Sequence, residues 1–413
     1  MNRVQKKQFE FHFGLNVVSI FRKKIMMTIT KLNVLFFCLL VLSNCAQENE
    51  SNSLQSKSNT ISHIQKANRH SLFSLNDYLN NNELLDQYVD SVYESLDEKV
   101  LIAQLIMPAV GKYGQSKETI DGLIKDHLIG GVLMLNGTKK EFTSLITGFN
   151  QDNIKYGNLP FLYSADAEPS LVNRKIIGST LVKKANEIDS IQGVTQVAKT
   201  ISKDLNDIGI NYNFAPVVDM SKNSTVGYRG FGKKPKNIIP WSDEFIKVTQ
   251  ESNIIATAKH FPGHGLVSGD THKSLQVIDG ELKEVINYLP LIKSGVLSIM
   301  VAHIAIENNA NYNTNGLPST CSKKIVSSLL RDSLNFKGII VTDAMNMGGV
   351  RNVSNNSVKA IEAGCDILLM PANARKAHQE IWDKFKTGNE DFRNSVSESA
   401  KRIIRMKVCL GLI

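Results

Sequence analysis

Eight short apolar runs recur along the chain: QLIMPAV (104–110), GGVLML (130–135), PFLYSAD (160–166), INYNFAPVVD (210–219), IIATAKH (254–260), LSIMVAH (297–303), GIIVTD (338–343) and CDILLMP (365–371). The stretches between them are mostly 20 to 40 residues long. They carry helix-like spacing of apolar positions, as in VTQVAKTISKDLNDIGI and SKKIVSSLLRDSLNF. Near-continuous apolar strands alternating with amphipathic helices predict an α/β fold with a parallel sheet covered on both faces. Eight such units predict a (β/α)8 barrel of the TIM type. A doubly wound open sheet is the alternative, but no GxGxxG follows the first run.

Polar residues interrupt this pattern at one kind of place. Asp166, Asp219, His260, His303 and Asp343 each stand at or just past the C-terminal end of an apolar run. In a barrel those ends converge on the face where active sites form. Any one of them also reads as a helix-capping carboxylate or as a histidine bonded to a neighbouring carbonyl. Five on a single rim predict a site.

Composition changes the picture mainly at the N-terminus. The chain has 413 residues, 42% hydrophobic, enough to bury a large core. Its formal charge is +9, of which residues 1–44 contribute +6, so the remaining 369 residues carry only +3. No basic stripe with interleaved aromatics follows, and nucleic-acid binding is not expected. Val34–Leu42 (VLFFCLLVL) lies behind the basic segment and is too short to span a bilayer, which fits a signal-peptide core. It ends in LSNC, which resembles the lipobox of bacterial lipoproteins and makes Cys45 the expected lipidation site. A plain secretory signal is the alternative, and Met26 or Met27 would serve as a more usual start. Residues 45–74 are rich in Ser, Asn and Gln and read as a tether. Ordered structure is expected from near Leu75, and 75–413 reads as one domain, because composition does not shift again. The expected setting is the bacterial cell envelope, held to the membrane through a lipid anchor. Cys321, Cys365 and Cys409 stand in apolar contexts and are expected as buried free thiols.

The candidate chemistry narrows by elimination. There is no zinc-type Cys/His spacing or HExxH, so a dedicated metal site is not expected, and neither a GxSxG elbow nor a P-loop is present. What remains is a strand-end carboxylate, Asp343, and a glycine-rich stretch, KHFPGHGLVSGDTH (259–272), carrying Asp270-Thr271-His272. An aspartate two residues before a histidine can accept its Nδ1–H, fix the tautomer and favour the imidazolium. Such a pair opposite a fixed carboxylate suits displacement at an acetal carbon, with Asp343 as nucleophile and His272 protonating the leaving oxygen. The loop glycines would let His272 swing over a bound substrate and away.

KHFPGHG followed by Asp-X-His resembles the β-N-acetylhexosaminidases of glycoside hydrolase family 3. The resemblance continues through QLIMP, GGVLML, NFAPVVDM, GYRGFG, VTDAMNM and AGCDILLMP, over roughly residues 95–413. It implies a cofactor-free, retaining, exo-acting enzyme that removes terminal β-linked N-acetylglucosamine through a covalent glycosyl-enzyme. Asp343 matches the nucleophile, and Asp270 with His272 matches the acid/base pair. Lys259, His260, Arg229 and Asp166 match residues holding the sugar's hydroxyls. The implied substrate is an oligosaccharide or a peptidoglycan fragment, and the expected state is a monomer. In the β-glucosidase branch the acid/base is a glutamate from a second domain, so that activity is the alternative, with phosphorolysis and a non-catalytic sugar-binding lipoprotein beside it. Pro169-Ser170 depart from the Gly-Gly or Trp-Gly of the family, which leaves the roles of Glu168 and Arg174 open. His264 and His303 are also open.

Overall fold

The computed structural model describes residues 72–413, apart from 221 and 224. The expected leader (1–44), Cys45 and almost all of the tether lie outside the described residues. Within the described chain Phe73, Leu75 and Tyr78 are already buried in the main core.

Nine short strands form a seven-stranded sheet and a separate parallel pair: β1 (Ile106–Met107), β2 (Ala109–Val110), β3 (Gly131–Met134), β4 (Leu162–Ala165), β5 (Tyr212–Asn213), β6 (Ile255–Phe261), β7 (Ser298–Val301), β8 (Ile339–Thr342) and β9 (Leu368–Leu369). Strands β2 to β8 lie in sequential order in one parallel sheet, and β1 pairs in parallel with β9. The molecule is an α/β fold on a curled parallel sheet. All seven residues of β6 are buried, as both-face coverage requires.

Pro108 and Pro216 explain why two runs expected as long strands are short. A proline has no N–H for the ladder, so each breaks a regular strand. Their carbonyls still accept, from Leu133 at 2.8 Å and Lys259 at 3.2 Å. The run 104–110 is thereby split between two neighbours, Leu368–Leu369 on one side and Leu133–Met134 on the other.

The intervening helices begin and end where local chemistry dictates. Ile191–Ile208 starts on Ser190, whose side chain accepts from Gly193, and stops at Gly209, where φ is 94°. That left-handed conformation favours glycine. Lys139–Tyr156 starts with a reciprocal Thr138–Glu141 capping box. The expected helix over 322–336 forms as a wide-turned π-helix, Lys324–Ser333, followed by a bond from the Leu334 N–H to the Leu329 carbonyl. Cys321, Cys365 and Cys409 are buried free thiols. Among the described residues no helix is long and apolar enough to cross a membrane.

Candidate active site

The C-terminal ends of β4, β6 and β8 open into a cavity of about 550 Å³. Asp166, Arg229, Lys259, His260, His272 and Asp343 all line it. Asp270 is not on its wall but bonds to His272, which is. The residues expected from sequence are therefore brought together.

Two of these come from adjacent positions on one strand, which a regular strand would send to opposite faces. The ladder between β7 and β6 slips here: Met300 faces Lys259 and Val301 faces Phe261, skipping His260. This irregularity lets Lys259 and His260 reach the same cavity.

One wall is an alternating chain of charges. Lys175 Nζ lies 2.5 Å from Asp166 Oδ2, and Lys259 Nζ lies 2.8 Å from Asp166 Oδ1 and 2.6 Å from Glu168 Oε1. Arg229 grips Glu168 with two bonds, Nε to Oε2 at 2.8 Å and a terminal nitrogen to Oε1 at 2.6 Å. Burial opposes ionisation of Glu168, but Arg229 and Lys259 outweigh it and lower its carboxyl to about 2. Burial is likewise outweighed by Lys175 and Lys259 at Asp166, which is held well below the usual carboxylate range. Glu168 is fully buried, so its role is to fix Arg229 and Lys259. Neither it nor Lys175 was assigned a role from sequence. The acid in YSADAEPS was the available signal for Glu168, whereas Lys175 had none.

Asp219 holds the next stretch. Its Oδ2 accepts from His260 Nδ1 at 2.7 Å, and its Oδ1 accepts from the main-chain N–H groups of His260 and His264 at 3.2 and 2.8 Å. With the Nδ1–H committed to Asp219, the other ring nitrogen of His260 is the one free for a ligand. His264 also lines the cavity, and its Nε2 has no partner among the described residues. Burial, reinforced by His260, lowers its pKa to about 4 and keeps it neutral near pH 7. His303 is accounted for structurally. Its ring bonds to Thr320 Oγ1 at 2.9 Å and to the Ala344 carbonyl at 3.0 Å.

Asp343 follows β8 directly, and its N–H donates to the Val301 carbonyl at 2.9 Å. Its Oδ1 accepts from the Ala344 N–H at 2.8 Å. Burial raises its pKa, but His260, His303 and that N–H outweigh the burial, so the carboxyl stays below its usual value. A half-buried aspartate held ionised at neutral pH is what a nucleophile requires.

His272 is largely exposed, and its Nδ1 lies 2.7 Å from Asp270 Oδ1, which also accepts the His272 main-chain N–H at 3.0 Å. Burial opposes ionisation of Asp270, but the N–H and ring of His272 prevail and lower its carboxyl. The stretch carrying the pair is fastened. Gly348 and Gly349 donate to the carbonyls of His272 and Thr271 at 2.9 and 3.0 Å, and Asn223 Nδ2 donates to those of Val267 and Gly269 at 2.7 and 2.9 Å. The loop that the sequence reads as free to swing is thus bonded, at the pair itself, to the turn after Asp343. No group of three or more His, Cys, Asp or Glu positioned to hold a metal occurs among the described residues.

Residues 95–406 match the model of the glycosyl hydrolase family 3 N terminal domain. The chain belongs to this family. The "Beta-hexosaminidase A" of Pseudoalteromonas piscicida is 30% identical over 269 residues, 58% of this chain and 44% of that protein. The "Beta-N-acetylglucosaminidase/beta-glucosidase" of Cellulomonas fimi is 27% identical over 324 residues, 73% of this chain and 56% of that protein. This family 3 chain therefore spans about half the length of these curated relatives. Among solved structures, a family 3 β-N-acetylglucosaminidase from Paenibacillus sp. str. FPU-7 superposes with a TM-score of 0.70 at 25% identity, covering 77% of this chain and 63% of that one.

Proposed function

We propose that this family 3 chain is a retaining, exo-acting β-N-acetylhexosaminidase that removes terminal β-linked N-acetylglucosamine from an oligosaccharide or peptidoglycan fragment. The observation that carries this reading is the ionised Asp343 sharing one cavity with the Asp270-paired His272. The names borne by the relatives support the sugar. Lys259, His260, Arg229 and Asp166 bind the hydroxyls of the terminal sugar, as charged hydrogen-bonding groups suit a polyhydroxylated ring.

In the first step an Asp343 carboxylate oxygen bonds to the anomeric carbon. The bond to the leaving oxygen breaks with its electron pair, and His272 Nε2–H delivers a proton to that oxygen. In the second step water attacks the anomeric carbon, His272 takes the water's proton, and Asp343 departs. Two displacements on one carbon retain its configuration. Asp270 holds the Nδ1–H throughout.

The test is hydrolysis of a chromogenic N-acetyl-β-glucosaminide against the matching β-glucoside. The first is expected to be turned over and the second to lag by at least tenfold. Equal rates would point to the dual specificity that the Cellulomonas fimi relative's name describes.

The proposal extends to architecture and setting. We read the two sheets as parts of one closed (β/α)8 barrel and residues 75–413 as a single catalytic domain that works as a monomer. The parallel bridge from Val341 to Ile367 and the β1–β9 pairing support the closure. The lipobox-like LSNC supports lipidation at Cys45 in a bacterial cell envelope, behind a leader over 1–44 and a tether over 45–74. Cys45→Ala is expected to release the protein from membranes, and unchanged membrane association would refute the anchor.

A further inference from the structure

A second cavity, of about 960 Å³, adjoins the candidate active site and shares Tyr113 and Arg174 with it. Its remaining charged lining comes from the turn after β2 (Lys112), from Lys117, and from the first turn of the helix Lys139–Tyr156 (Lys140 and Glu141). Lys117 is occupied by Asp121 at 2.6 Å. Glu141, the lone acid on this wall, accepts the Thr138 N–H at 2.7 Å in its own helix cap. Lys112, Lys140 and Arg174 have no carboxylate partner among the described residues. Three uncompensated cations thus stand around a concave surface that opens into the active site. Between the two cavities Tyr113 is 65% exposed, and Lys112 Nζ lies 5.4 Å from its ring centre. A large aromatic left in water at the mouth of a sugar site offers a flat apolar face to a ring.

We infer that this cavity receives the leaving group of the substrate and favours a saccharide that carries a carboxylate. The inference rests on the proposed exo-glycosidase reading, in which the terminal sugar fills the first cavity and only the leaving group extends beyond it. Tyr113 stacks on the leaving sugar, and Lys112, Lys140 and Arg174 face its negative charge. Groups of opposite charge at such a surface steer and select more than they tighten, and the selection weakens as salt screens it.

The test compares three substrates: N-acetylglucosamine β-linked to glucuronic acid, the methyl ester of the same disaccharide, and a chromogenic N-acetyl-β-glucosaminide. Acid and ester have the same linkage and nearly the same size, so they separate charge from fit. The wild type is expected to prefer the acid over the ester by about tenfold or more in kcat/KM at low salt, and less at 0.5 M salt. In a Lys112→Ala/Lys140→Ala double variant the preference should fall toward one, with turnover of the chromogenic substrate unchanged. Adding Arg174→Gln should remove what preference is left. A wild type that does not distinguish acid from ester, or a double variant that keeps the full preference, overturns the inference. If the chromogenic substrate is not turned over at all, the hydrolase reading fails by itself. The cavity is then read by calorimetric binding of the methyl glycoside of glucuronic acid. Binding to the wild type that the double variant loses upholds an anionic saccharide site, and no binding overturns it.

Discussion

Proton donation distinguishes the two members of the acid/base pair. Losing His272 removes the donor, whereas losing Asp270 leaves an imidazole without a fixed tautomer. Asp270→Ala should therefore keep more activity than His272→Ala. A dinitrophenolate leaves with little need of a proton. On that leaving group the His272→Ala defect in the glycosylation step should shrink by orders of magnitude, and the Asp343→Asn defect should not. Single-turnover release of two leaving groups of different pKa measures this, and equal loss on both for His272→Ala would mean that the pair does not carry the proton. Asp343→Asn should leave less than a tenth of wild-type kcat, since one factor of ten is only ~1.4 kcal/mol. At this scale the sequence was most legible where a motif fixed the residue: Asp343, His272, Lys259 and Arg229 all reach the cavity wall. It was least legible for partners supplied from elsewhere in the chain. Lys175 meets Asp166 across nine residues and Glu168 meets Arg229 across 61, and neither separation follows a local period.

Elements depend on what fastens their ends, and the histidine stretch after β6 is the clearest case. Glu284, from the segment Lys283–Asn287, accepts main-chain N–H groups from Met220 at 2.5 Å, Gly265 at 3.1 Å and Leu266 at 3.1 Å. It is a positioning residue: it bonds to the backbone of the stretch at Gly265 and Leu266 and of the neighbouring Met220, and lines no part of the cavity. Gly265 is required there by close approach, because a Cβ would sit 1.8 Å from the Met220 carbonyl oxygen. Glu284→Ala leaves three main-chain N–H donors, that of buried Gly265 among them, without this acceptor and should cost at least about 1 kcal/mol in urea unfolding. It should also lower kcat more than it raises KM, while Glu284→Gln, which keeps one acceptor oxygen but turns an NH2 toward the remaining donors, should recover only part of both. A variant that loses stability but keeps wild-type kcat at a temperature where it is folded would make Glu284 merely structural. The apolar periodicity revealed that a loop follows the strand IIATAKH, and its glycines were read as freedom. The bonds that fasten the stretch come from Glu284, Asn223, Gly348 and Gly349, which no pattern within the loop announces.

A buried amine ties the final helix back to the early part of the described chain. Lys407, on the final helix Glu390–Cys409, donates to Gln104 Oε1 at 2.6 Å and to the Gly130 carbonyl at 3.0 Å, spanning 303 and 277 residues. The sequential order of strands was legible because each apolar run is followed by a helix-like segment that returns the chain in parallel. Such a tie was not, because a lysine in the helical pattern of AKRIIRMKV reads as solvent-facing. Burial lowers the Lys407 amine from its ordinary 10.5 to about 7. Between those values the unfolded chain holds a proton that the folded chain has released. Stability gained from this group therefore rises with pH above about 7, by at most ~1.4 kcal/mol per pH unit, and is flat below it. Lys407→Met keeps the apolar bulk and has no such slope. Urea unfolding of both proteins at pH 7, 8 and 9 should show the wild type gaining on the variant at each step, whichever is more stable at pH 7. Parallel curves across that range would mean that Lys407 stays charged in the folded protein, with water or a carboxylate reaching it.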